Sequence, residues 1–264
     1  MHKSVFPIIV IYKVRLNESE CYDTFLSKLP LTEFMVYDNS PSGYTQNLDD
    51  IPSNVIYVRD EENRGLSVAY NTAVEYAEKK GYDRILLLDQ DTTFPVSMYR
   101  QMCDSEADVC APIVRLKNGF PFSPTVWRHA VVRGAALSPG VYPLSKYLLI
   151  NSGLCVDIQK FRLSGGYNEN IRLDFADFQF MHRLRKVTDS FELIDCVAVQ
   201  DFSNDETNID RLFTRYGHYL DGARHFETDN LLVRLKIMWM VLLHTLSLTK
   251  RTKSIRFFRL LFSK

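Results

Sequence analysis

Two carboxylates separated by one residue close an apolar run in "RILLLDQDTTF" (84–94), where Ile85 to Leu88 lead straight into Asp89, Gln90 and Asp91. A charge at the end of a strand that reads as buried is costly unless it is paired or holds a cation. The pair therefore either marks a solvated strand end or holds something positive. Asp38 closes "FMVYD" (34–38) in the same way. Asp174 and Asp177 stand three residues apart in "LDFADFQFMHRLR" (173–185), where a helix is expected to begin. Both acids of that second pair can lie near one helical face, where the dipole favours negative charge.

The elements that must position these acids alternate along the chain. "SVFPIIVIY" (4–12) is continuous and β-branched, as in a strand covered on both faces. A helical stretch near 18–29, the strand 34–38, a turn cluster "NSPSG" and a strand at 54–60 follow. The segment 63–81 reads as a helix stopped by Gly81, 84–89 as a strand, 95 onward as a helix and 107–114 as another strand. Such alternation predicts an α/β fold with a mostly parallel central sheet flanked by helices. Ligands bind such sheets at the carboxyl ends of the strands. Asp38, Asp89 and Asp91 are thus expected to face one crevice. Residues 119–143 are rich in Pro, Gly and aromatics and read as irregular or antiparallel, 147–157 as a strand-turn, and 191–199 as a last buried strand. From Ile209 on, the chain reads as helical.

With 32 basic and 32 acidic residues the formal net charge is zero, which argues against a general nucleic-acid binder. The balance hides an asymmetry, because residues 231–264 carry eight basic residues and no acid. The five cysteines show no CxxC spacing and mostly sit in apolar contexts, as expected of reduced core cysteines in a cytosolic protein. The first apolar run is too short for a signal peptide or a membrane span.

The ordered set "IIVIY", "VYDNS", "NRGLSVAYNTAV", "LLLDQDT", "NSG" and "GGYNENIRLDFADFQFMHRLR" resembles the inverting family-2 glycosyltransferases of bacterial polysaccharide assembly, most of all their rhamnosyltransferase branch. The resemblance covers about residues 4–205. It implies the GT-A fold as one catalytic domain over 1–228, with a donor half to about 115 and an acceptor half from about 116. A basic amphipathic helical extension follows over 229–264.

The resemblance also implies roles. Asp91 would bind a divalent ion, Mg²⁺ or Mn²⁺, against the diphosphate of a nucleoside-diphosphate sugar, while Asp89 assists it or holds the ribose. Asp38 would accept from a nucleobase N–H, with an Asx turn into "NSPSG" as the competing reading. Tyr12 would stack on that base, or belong only to the core. Asn63 and Arg64 open the "NRG" helix, where Arg64 is expected either to meet Asp89 or a phosphate, or to form a plain salt bridge. Asp177 would be the base that takes the acceptor proton, and the competing reading is a helix cap. The segment Asn151–Gly153 would lie near the acceptor, with Ser152 as a hydroxyl contact.

Two departures from the family pattern stand out. Gln179 occupies a position where relatives often have a second acid, and "VQDFSN" (199–204) leaves Asp201, or nothing, in place of a histidine. Neither His182 nor His218 is assigned a role. Two rival classes are a nucleotidyltransferase, which the glycine-free "YKVRLNESE" argues against, and a non-catalytic sugar-nucleotide or glycan-binding relative. The tail "TKRTKSIRFFRLLFSK" suits the surface of an anionic membrane, or packs on the domain with its charges solvated. The acceptor would then be a saccharide or lipid-linked saccharide, with the protein cytoplasmic and peripheral at the inner face of the cell membrane.

Overall fold

A computed structural model describes residues 2–44, 46–128, 131–201 and 208–262; Phe202, Ser203 and Asn204 of "VQDFSN" and the last two residues of the tail lie outside the described residues. The first half alternates as its apolar pattern requires. It comprises β1 (Val5–Ile11), α1 (Glu20–Thr24), β2 (Phe34–Asp38), β3 (Val55–Arg59), α2 (Leu66–Lys80), β4 (Arg84–Asp89), β5 (Thr92–Thr93), α3 (Ser97–Asp104) and β6 (Val109–Leu116). The expected helix at 18–29 shrinks to α1 with single 3₁₀ turns on either side. The second half begins with short antiparallel strands: β7 (Pro121–Ser123), β8 (Thr125–Arg128), β9 (Val131–Gly134) and β10 (Gly140–Pro143). It continues with β11 (Leu154–Asp157), α4 (Ile158–Leu163), α5 (Ala176–Leu184), β12 (Ser190–Gln200), α6 (Ile209–Arg224), α7 (Leu231–Thr252) and α8 (Arg256–Phe262).

The main sheet runs β10-β12-β6-β11-β4-β1-β2-β3. β1, β2, β3 and β4 pair in parallel, and β12 is parallel to β6. β11 is antiparallel to both β4 and β6, so those two strands point the same way and the sheet is mostly parallel. Every residue of β1 is buried, which is why it carries no polar alternation. One face of the sheet holds a core that includes α2, α5 and buried positions of α6, α7 and α8. The other packs α1 and α3. All five cysteines are free and buried.

A charge lies within this framework at the foot of β4. The fully buried Arg84 guanidinium donates to the carbonyls of Met102, Ser105 and Ala107. These carbonyls close α3 and the turn after it, so the arginine ties the strand to the helix end with no salt bridge to an acid among the described residues.

Candidate active site

At the carboxyl edge of the parallel strands lies a crevice of about 990 Å³. The register sets Asp89 beside Val10 and Asp38 beside Ile11, so both acids end their strands at this edge. Their surroundings differ. Asp89 lines the crevice, accepting from the Ser152 hydroxyl at 2.7 Å and from the Tyr70 hydroxyl at 3.4 Å. Ser152 has spent its proton on Asp89, so Thr92, 2.8 Å away, donates to Ser152. Burial pushes the Asp89 carboxyl above its usual range, and the two hydroxyls oppose that. Asp91 also lines the crevice and is pushed up to about 6, by its enclosure first and then by Asp89. Its side chain is exposed, so solvent screens part of that shift. Among the described residues neither carboxylate is paired with a lysine or arginine.

Gln90 explains why an amide separates the acids. Its Oε1 accepts from the Tyr12 N–H at 2.7 Å and its Nε2 donates to the Tyr12 carbonyl at 3.5 Å, extending the β4–β1 pairing by one side chain. Its own carbonyl accepts from the Ser19 hydroxyl (2.9 Å) and the Cys21 N–H (3.3 Å), so the first turn of α1 fixes the loop from beneath.

Two expectations need correction. Asp38 does not line the crevice. It is fully buried, with Oδ2 accepting from Tyr57 and Arg59 at 2.7 Å each and Oδ1 from the Ser40 N–H at 2.9 Å, the Asx turn. The next residue, Asn39, lines the crevice instead, and its buried Oδ1 has no partner. Arg64 meets neither Asp89 nor the crevice. Its Nε donates to Asp60 at 3.1 Å and its Nη2 to the Tyr37 hydroxyl at 3.2 Å, so it is a salt bridge beside the strand ends. Tyr12 and Asn63 do line the crevice.

The "NRG" helix start serves another purpose as well. Gly65, at φ 99°, lies so close to the Arg172 carbonyl that an added Cβ would collide with it. The Leu66 N–H donates to that carbonyl at 2.8 Å and the Ser67 hydroxyl to the Ile171 carbonyl at 2.5 Å. Asn71 brackets Tyr167, accepting from its N–H and donating to its carbonyl at 3.0 Å each. The Tyr167 hydroxyl donates to Asn151 at 2.6 Å, and its ring stacks on Phe180 at 4.2 Å. One helix thus holds the whole loop that leads into α5.

That loop delivers Asp177. Phe175 turns the chain in the left-handed region (φ 72°), and α5 starts immediately after it. Asp177 lines the crevice, with Oδ1 accepting from the Phe178 N–H at 2.8 Å. Its carboxyl is pushed up to about 7 by burial, opposed by that N–H and reinforced by repulsion from Asp174 and Asp89. Asp174 is likewise raised by burial, opposed by Arg215 and His218, and its buried Oδ2 has no hydrogen-bond partner. Ser152 touches Asp89 rather than the crevice space, whereas Asn151 lines it. Asp201 lines the crevice and pairs with Lys117 at 2.7 Å.

Sequence reasoning missed one wall. Asp210, Arg211, Thr214, Arg215, His218 and Tyr219 of α6 all line the crevice. Their pairwise spacing of four residues was a legible helical face. Lys13 and Arg172 add further cations. His182 lies outside, packed near Phe226.

Gln179 is also accounted for. It is buried, donating to the Glu227 carbonyl at 3.2 Å and accepting from the Glu227 N–H at 2.6 Å. An amide can do both, and an ionised acid cannot.

A sheet in this order with acids at its carboxyl edge is the fold of the GT-A glycosyltransferases. Solved structures with this fold include GalNAc-T7 with UDP, GalNAc and Mn²⁺ (TM-score 0.59, 13% identity, 78% of this chain and 45% of that one). TarS residues 1–349 of S. aureus with UDP-GlcNAc also match (TM-score 0.53, 13% identity, 92% of this chain and 73% of that one). The model of glycosyl transferase family 2 matches residues 8–156, and the chain belongs to that family. A curated relative, the dTDP-rhamnosyl transferase RfbF of Shigella flexneri, is 21% identical over 189 residues, or 69% of this chain. The chain spans 64% of that relative's length.

Proposed function

We propose that this chain is an inverting glycosyltransferase that takes a sugar from a nucleoside-diphosphate donor. The observation that carries the reading is the sharing of one crevice by Asp177, pushed up to about 7, and two unpaired acids at a strand end. Asp177 takes the proton of an acceptor hydroxyl as its oxygen attacks the anomeric carbon from the face opposite the diphosphate. A new C–O bond forms, the bond to the diphosphate breaks, and its electron pair leaves with the nucleoside diphosphate. Burial first, and then repulsion from Asp174, keeps the base's pKa high.

The acids at 89 and 91 fit a divalent ion, since both carry raised pKa values and lack a cationic partner among the described residues. Among the described residues no group of three or more His, Cys, Asp or Glu is placed to hold a metal ion by itself, so the protein would supply two carboxylates and the donor phosphates the rest. Bound there, Mg²⁺ or Mn²⁺ would offset the charge of the departing diphosphate. Tyr12 would stack on the base, and Asn39 rather than Asp38 offers the free polar oxygen beside it. Asn63 forms part of the same wall.

The dTDP-rhamnosyl transferase activity of RfbF supports rhamnose from dTDP-rhamnose as the donor. The acceptor would be a surface polysaccharide or a lipid-linked precursor, reached from the cytoplasm at the inner face of the cell membrane. We also propose 1–228 as the catalytic domain, with donor and acceptor halves on one sheet, and 229–264 as its basic extension.

Calorimetry tests this reading: titrate UDP, dTDP and GDP, each with Mn²⁺ and with chelator, into wild type and Asp91→Asn. The expected result is metal-dependent binding of dTDP that is lost in the variant. No binding of any diphosphate would overturn the donor site.

A further inference from the structure

α7 has two unlike faces. Ile237, Val241, Thr245 and Leu248 are buried, and the Thr245 hydroxyl bonds to that of Tyr216 in α6. The opposite face is apolar and open: Leu231 (68% exposed), Leu232 (68%), Leu235 (50%), Met238 (61%), Trp239 (52%) and Leu246 (47%). At 1.5 Å per residue this stripe runs for about 24 Å, and no charged side chain lies on it. Such a surface needs a cover.

The charges around the stripe indicate what covers it. Residues 231–264 hold eight Lys and Arg and no acid. Lys236 stands at the edge of the stripe, and Lys250 and Arg251 close the helix. Ile255, in the turn before α8, and Phe262, at its end, are exposed too. An apolar face whose own helix carries cations and no acid complements anionic headgroups over acyl chains. The helix is long and apolar enough to span a bilayer by composition. Its packed face, however, holds it against α6, and a spanning helix would have to give up that contact.

We infer that the outer face of α7 docks on an anionic lipid bilayer, with the helix lying in the plane of the interface. This moves the membrane contact from the tail at 250–264 to 231–246 and leaves α8, with Phe257 fully buried, as the clip holding α7 to the domain. Met240, between the two faces of α7, lines the crevice, so the docked protein would present its crevice beside the lipid. The inference rests on the proposed function only for its purpose, a lipid-linked acceptor; the surface argument is independent of it.

The test uses the full chain with vesicles of phosphatidylglycerol and phosphatidylcholine in equal parts, against phosphatidylcholine alone. Wild type should co-sediment with the anionic vesicles only, less so at high salt, and Trp239 fluorescence should shift to the blue. Leu235→Gln with Trp239→Gln should weaken partitioning at least about tenfold, the loss expected from two large apolar side chains. Circular dichroism and melting temperature confirm that the variant folds. Equal sedimentation of the folded variant would overturn the proposal. So would a dimer, seen by light scattering without vesicles, that the same variant dissolves, because a second copy would then be the cover. dTDP titration of the same samples separates this outcome from failure of the donor reading, since these residues lie outside the donor wall.

Discussion

Asp177, pushed up to about 7, is poised between its two protonation states near neutrality. As the base it must be ionised, so kcat/KM should fall about tenfold per pH unit below that value and level off above it. Asp177→Asn should cost about 10²–10⁴-fold in kcat, the usual contribution of a general base. Asp174→Asn removes a repelling charge and should move the acid limb to lower pH. A pH profile of the variant checks this, and an unmoved limb would mean that Asp174 does not act on the base. The raised pKa also bears on stability. Folding favours the protonated form, so this group's contribution is fully present below its unfolded pKa and is lost as pH rises through about 7. Asp177→Asn should therefore raise the melting temperature at pH 8 and change it little at pH 4.

Acids at strand ends were legible because charge after an apolar run is conspicuous. Their partners were not. Asp38 and Asp89 read alike in sequence, yet Tyr57 and Arg59, on the neighbouring strand, enclose the first and leave the second at the crevice. Arg64 was drawn to Asp60, four residues earlier, a local pairing that outcompetes any distant acid.

The helices carry the next level of argument. The start of α2 is fixed by Gly65, where a side chain would meet both a positive φ and the Arg172 carbonyl. Gly65→Ala should destabilise by about 1–3 kcal/mol, the cost of a strained backbone position. Urea unfolding measures this directly, and an unchanged midpoint would show that the contact can relax. Gln179→Glu would set a carboxylate against the Glu227 carbonyl and should cost about 1–3 kcal/mol. A melting curve taken beside the wild type decides that case. Strand and helix identities followed from periodicity, including β4 at 84–89 as expected. The cationic face of α6 was missed because no motif flags it; only the four-residue spacing does. The sequence predicts a longer helix than α1 because the flanking turns carry helix-like composition.

Taken whole, the molecule is a sheet whose strand order differs from its chain order. The neighbour of β4 on the side away from β1 is β11, and β11 alone joins β4 to β6. No local pattern in "LCVD" announces this insertion, because long-range pairing leaves no periodic trace in four residues.

The position of β11 has a consequence on the ribosome. β1 to β4 are complete once Asp89 has emerged, yet the partner of β4 begins only at Leu154. Throughout that interval the nascent chain presents the edge of "ILLL", an unpaired apolar strand of the kind that recruits other strands. A chain truncated after residue 150 should therefore go to inclusion bodies, while the full chain, with β11 in place and α6–α8 covering the sheet, should stay soluble, as fractionation of the two expressed chains would show. Protection of the newborn protein thus waits on a four-residue strand that arrives late and goes to the middle.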